Sequence, residues 1–197
     1  PNITTTSTNY EANMGDAETL KKFIQYCKSN YPANKYVLIM SNHGGGTRSV
    51  KSTSSSTGDV KAICWDDTNG EDCLYTGEIT DVLTSAESID VMVLDACLMG
   101  SVEFAYQFRT DNGDFNSEYM VASPALVRGL GLPYTKILNR ISSTSGNNGT
   151  INNLGGGTEA YIIPSSTMDM AEFSKMIVEE QYDDTRSINY SKSEAFS

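Results

Sequence analysis

Two apolar runs, Val37-Leu38-Ile39-Met40 and Val91-Met92-Val93-Leu94, constrain this chain most, because each ends in a turn that carries a reactive side chain. The first opens into Ser41-Asn42-His43-Gly44-Gly45-Gly46, and the second into Asp95-Ala96-Cys97-Leu98-Met99-Gly100. Short apolar runs bounded by turn residues read as buried strands of a parallel sheet. Ligands of such sheets bind beyond the carboxyl ends of the strands, so two such ends can present an imidazole and a thiol side by side. His43 is the only histidine among 197 residues. A cysteine nucleophile and its base are distant in sequence and adjacent in the fold.

The surrounding pattern alternates helix and strand. Residues 16–26 read as an amphipathic helix, with Leu20, Phe23, Ile24 and Cys27 at helical spacing and Asp16 as its N-cap. Further helices are predicted over 76–86 with Thr76 as cap, over 102–108, over 134–141 behind Pro133, and over 169–180. Third and fourth strands are predicted at 118–122 and 159–163. This alternation implies an α/β layered fold with a mainly parallel sheet. Residues 1–12 read as a loose leader and 13–197 as one domain, with exposed, mobile loops at 44–61 and 147–157.

Charge narrows the class of partner. A formal net charge of −11 and a pI near 4.4 argue against nucleic acid, since nothing here would neutralise a phosphate backbone. No run approaches the roughly 18 apolar residues of a membrane span. The chain starts at Pro1 without an initiator methionine or signal peptide, as a mature or trimmed fragment would. Its four cysteines are too few for a disulfide scaffold, and Cys64 and Cys73 read either as a pair or as two free thiols. With one histidine and no CxxC, the sequence offers no zinc ligand set. The acids Asp66, Asp67, Glu71 and Asp72 read as a solvated turn or as an oxygen-rich calcium loop, although their spacing is not that of an EF-hand.

A thiol becomes a good nucleophile beside a cation or a helix N-terminus. Cys97 is placed for both, with His43 across the sheet and the helix at 102–108 just ahead. Gly44 lets the backbone after His43 approach a substrate. Its N–H and that of Cys97 would donate to the oxyanion of a tetrahedral intermediate. Taken singly, a histidine at a strand end is more often a structural hydrogen-bonder, and a cysteine more often a small buried hydrophobe. Their joint occurrence at equivalent strand ends points to function.

These residues also carry a resemblance. The runs SNHGGG at 41–46 and LDACLMGSVEFAY at 94–106 resemble the clostripain (C11) cysteine peptidases of the caspase-like clan, which also holds gingipains and legumains. NMGDAETL at 13–20, YPANKYVLI at 31–39, YMVAS at 119–123 and GLPYTKIL at 131–138 extend the likeness. The resemblance implies a caspase-like α/β/α sandwich, a His43–Cys97 dyad without a required third residue, and hydrolysis of peptide or protein substrates. It implies a secreted or envelope-exposed bacterial protein that needs no cofactor, calcium being used by some relatives. Family members open with a strand and helix that would precede Asn13, so an N-terminal segment of its own precursor is a further expected partner.

Specificity and maturation follow from the same resemblance. Family members cut after Arg or Lys using acids around the primary pocket, and Asp95 would supply one carboxylate unless it caps the next helix. Ser123 and the loop at 124–132 would complete the pocket, yet that loop has no acid and one base, Arg128. The family activates itself by cutting after a basic residue between its His and Cys, and Lys61-Ala62 is the expected bond. Two other classes share this sequence pattern: a caspase-fold binding or surface protein with little turnover, and an acyl-transferring cysteine enzyme.

Overall fold

The computed structural model describes residues 11–46, 62–112, 114–127, 131–142, 150–152, 159–161, 163–164 and 169–194. The leader residues 1–10, most of the loops at 44–61 and 147–157, Lys61 and Arg128 lie outside the described residues. The chain divides into two compact units, the first built from 1–118 with 122–127 and the second from 119–121 with 128–197.

The first unit opens with helix α1 (Ala17–Asn30), whose N-cap Asp16 accepts a hydrogen bond from the Glu18 N–H. Strand β1 (Val37–Ser41) follows, then the hairpin strands β2 (Ala62–Asp66) and β3 (Asp72–Tyr75). The hairpin register shifts between Ile63 and Trp65, where Cys64 takes a positive φ of 60°. Cys64 and Cys73 are both free thiols, and burial pushes the Cys64 thiol up to about 11.

Helix α2 (Thr76–Val82) is shorter than predicted, and Tyr75 rather than Thr76 is its N-cap. It stops because Thr84 and Glu87 form a capping box for the 3-10 turn Ser85–Glu87: the Glu87 carboxylate accepts from the Thr84 N–H, and the Thr84 hydroxyl accepts from the Ala86 N–H. Strand β4 (Ile89–Asp95) and helix α3 (Val102–Gln107) follow, then strand β5 (Ser117–Ala122), whose ends belong to this unit and whose residues 119–121 are counted with the second. The sheet runs β1-β4-β5, with β1 and β4 parallel. From Val91 to Asp95 every β4 side chain is buried, as a central strand covered on both faces requires.

Lysines of α1 fasten it to the last residue of α2 and to the segment after it. Lys21 donates to the Val82 carbonyl at 2.8 Å, and Lys28 to those of Ala86 and Ser88 at 2.9 and 2.6 Å. Ahead of α1, the Met14 N–H and the Asn13 side chain donate to Asp66 and Asp72 of the hairpin.

The second unit holds helices α4 (Tyr134–Asn139) and α5 (Met170–Glu194) with two small two-stranded pieces. Strand β6 (Ile141–Ser142) pairs with β9 (Ile163–Pro164) in parallel, and β7 (Thr150–Asn152) with β8 (Glu159–Tyr161) antiparallel. Among the described residues the predicted fourth strand is two short strands, β8 paired with β7 and β9 with β6. Helix α5 runs well past the predicted end at 180. Buried Arg140 holds the α4 end to α5 through Glu179 and Glu180 at 3.0 and 3.1 Å. No helix among the described residues is long and apolar enough to cross a membrane.

Candidate active site

The register of β1 on β4 decides where the two reactive residues emerge. Val37 pairs with Val91 and the pairing continues in step to Ser41 with Asp95. His43 and Cys97 therefore leave the sheet at the same level, each two positions beyond the last pair. The turns that follow touch. A β-carbon on residue 44 would lie 2.2 Å from the Cys97 carbonyl oxygen and 2.9 Å from Cγ of buried Met99, so only glycine fits beside Cys97.

The histidine loop is anchored from its other side. Gly44 bridges Ile63 of β2, and the Gly45 N–H donates to the Ala62 carbonyl at 2.9 Å. Asn42 accepts the His43 N–H on its side-chain oxygen and donates from its amide to the Trp65 carbonyl at 3.2 Å. His43 is exposed, and Cys97 is half-buried. The hairpin β2–β3, which the sequence showed only as a short apolar stretch, is thus the support of the histidine loop.

Cys97 does not stand at a helix start, as the sequence led us to expect. Helix α3 begins at Val102 with Ser101 as its N-cap, the Ser101 hydroxyl accepting from the Phe104 N–H at 3.2 Å. The sulfur is instead bonded to the loop after β5: the Val127 N–H donates to Sγ at 3.2 Å, and Sγ lies 3.7 Å from the Val127 carbonyl oxygen. This is a main-chain contact, so no side-chain pattern announces it.

Asp95 does not cap α3 either. It closes β4 with 6% exposure, and the Ser41 hydroxyl donates to it at 3.3 Å. Ser123 sits at the root of the loop after β5, its hydroxyl accepting from the Ala125 N–H and donating to the Ala125 carbonyl, both at 3.1 Å. Arg128 and Lys61 fall outside the described residues, whereas Ala62 is fully buried as the first residue of β2.

Two acids of the turn, Asp66 and Asp72, accept internal bonds. Asp66 accepts from the N–H groups of Met14, Thr68 and Asn69 and from the Thr68 hydroxyl. The Met14 N–H, the Thr68 hydroxyl and the Asn69 donors hold its carboxyl well below the usual carboxylate range. Asp72 accepts from Asn13 and from the Cys73 N–H. No group of three or more His, Cys, Asp or Glu among the described residues is placed to hold a metal ion.

The chain is similar to known proteins. The model of the clostripain family matches residues 1–195. Clostripain of Hathewaya histolytica is 50% identical over 190 residues, which cover 94% of this chain and 35% of that protein. The crystal structure of a secreted C11 cysteine protease from Bacteroides thetaiotaomicron, in complex with an irreversible peptide inhibitor, aligns with a TM-score of 0.51 at 25% identity. That alignment covers 64% of this chain and 32% of the other, so the chain spans about a third of the length of either relative. The mixed α/β architecture is the caspase-like fold of these proteases.

Proposed function

The chain belongs to the clostripain family, and on that premise we propose that it is a cysteine endopeptidase with Cys97 as nucleophile and His43 as its proton partner. The observation that carries the reading is the backbone contact of Gly44 with Cys97 beyond two strands in register. That contact sets the residue next to the imidazole against the residue that bears the thiol.

In this reading the Cys97 thiol passes its proton to His43 and its sulfur attacks the scissile carbonyl, forming a C–S bond. The N–H groups of Gly44 and Cys97 hold the oxyanion. His43 delivers a proton to the leaving amine as the C–N bond breaks, and water then hydrolyses the acyl-enzyme, returning the thiol. Buried Asp95 gives the site a carboxylate for a basic side chain ahead of the scissile bond, so cleavage after Arg or Lys is the proposed specificity. The substrates are peptides or proteins, met outside the cell or at the envelope of a bacterium.

One observation favours a second reading. The Val127 main chain occupies the Cys97 sulfur, as suits a caspase-fold binding protein with little turnover. A peptidyl acyloxymethyl ketone with Arg at P1 separates the two. Labelling of the wild type that is lost in Cys97→Ala, together with turnover of fluorogenic peptides, is expected of the peptidase. An unlabelled, inactive wild type rejects it.

A further inference from the structure

The loop after β5 lies along the nucleophile turn as a strap that bends at Pro124 and Ala125. The Gly100 N–H donates to the Ser123 carbonyl at 2.8 Å, and the Leu98 N–H to the Ala125 carbonyl at 3.1 Å. One alternation further along, the Val127 N–H donates to the Cys97 sulfur at 3.2 Å. Residues 123, 125 and 127 thus turn their main chain towards 97–100, while Leu126 between them is 77% exposed.

The two ends of the strap are held differently. At the root, a β-carbon on residue 100 would lie 2.7 Å from the backbone of Ser123 and Pro124, so the chains are in full contact there. The Ser123 hydroxyl locks the turn through both polar groups of Ala125. At the tip the described bonds to the nucleophile turn run to sulfur, a weak donor and a weak acceptor.

The tip also sits where reaction must occur. A scissile carbonyl has to come within about 3–3.5 Å of the attacking atom along a free lone pair. Here a lone pair of Sγ takes the Val127 N–H, and the thiol hydrogen has the Val127 carbonyl as acceptor. We propose that the main chain of Val127 is a latch that holds the Cys97 thiol in an unreactive resting arrangement, and that a peptide substrate displaces it to reach the sulfur. The latch deepens the peptidase reading and rests on it for the identity of the occupant that replaces Val127.

The test is the rate at which iodoacetamide alkylates Cys97, followed by peptide mapping so that the other three cysteines are scored apart. Val127→Pro removes the N–H donor and is expected to raise the Cys97 rate about fivefold, the factor that one net hydrogen bond contributes. Leu126→Gly loosens the tip without removing that N–H and is expected to raise the rate to a smaller extent. It keeps the test open if the proline variant does not fold. An unchanged rate in the folded variants overturns the latch. A slower rate overturns it too, because the N–H would then be activating the sulfur. Alkylation needs no peptidase turnover, so faster labelling in a chain that cleaves no peptide would reject the peptidase and leave the latch standing.

Discussion

The Ser41 hydroxyl donates to the Asp95 carboxylate at 3.3 Å, and these two residues form the last pair of the β1–β4 register. The strand ends that release His43 and Cys97 are therefore tied together by a side-chain bond immediately below the site. Asp95 is buried at the end of β4, and in the proposed reading its carboxylate receives the basic side chain of a bound peptide. Asp95→Asn is expected to lower kcat/KM for Arg or Lys at P1 by about tenfold or more, the loss typical of a charged hydrogen bond, with less effect on neutral residues. A P1-varied fluorogenic panel measures this. A wild type that prefers neutral or acidic P1 residues would remove the basic specificity and make Arg128 the residue to examine.

Gly44 gives a sharper structural prediction. Gly44→Ala forces a β-carbon into the Cys97 carbonyl oxygen, and neither backbone has room to yield, since Gly44 is also bridged to Ile63. Overpacking of this kind costs roughly 1–3 kcal/mol. The larger effect is expected on turnover, about a hundredfold, because small displacements of reacting groups are costly. Thermal melting and kcat/KM measured together check it. Near-normal turnover in Gly44→Ala would mean that the two turns do not set the catalytic geometry.

The apolar runs that became β1 and β4 were legible because both are unbroken and end in glycine- or turn-rich segments. The start of α1 was legible because Asp16 is a strong N-cap before a periodic apolar face. Strand β3 was not, because Asp72-Cys73-Leu74-Tyr75 is short and follows the five-residue turn 67–71, and only its pairing with β2 makes it a strand. The end of α2 was hidden by Thr84 and Glu87, which fit a helix in composition but cap a new turn in the structure. The second half of α5 is too polar to show an apolar stripe. At the site, side chains named the residues, whereas the backbone contacts of Gly44 and Val127 depend on tertiary packing that no residue type encodes.

Asp66 makes the stability of the hairpin depend on acid. Its carboxyl is depressed in the fold, chiefly by the Met14 N–H, so its contribution is present above the unfolded value of about 3.9 and is lost as pH falls through the folded value. Below that point the protonated group no longer favours its donors, and the segment ahead of α1 loosens from the hairpin that supports the histidine loop. Asp66→Asn is expected to lower the melting temperature at pH 7 and to flatten its fall between pH 4 and pH 2. Melting curves of both proteins across that window check the sign. Parallel curves would show that Asp66 carries none of the acid sensitivity.

Self-processing between His43 and Cys97 is the remaining expectation of the clostripain reading, with Lys61-Ala62 as the bond. Ala62 is fully buried, pairs with Tyr75 and accepts the Gly45 N–H, so it belongs to the hairpin and not to a free loop. A cut on its amino side would leave β2 zipped to β3 and the histidine loop still bonded to the hairpin through Gly44 and Gly45. The two fragments would then stay together, with the new amino terminus at Ala62, whose carbonyl accepts from Gly45. Reaching the bond requires the start of β2 to fray locally, which makes cleavage slow at a strand end and slower if the pairing is strengthened. Intact-mass analysis of purified wild type is expected to show fragments meeting at Lys61-Ala62, and Cys97→Ala is expected to remain whole. A wild type that stays uncut while fully active would reject self-processing at this bond.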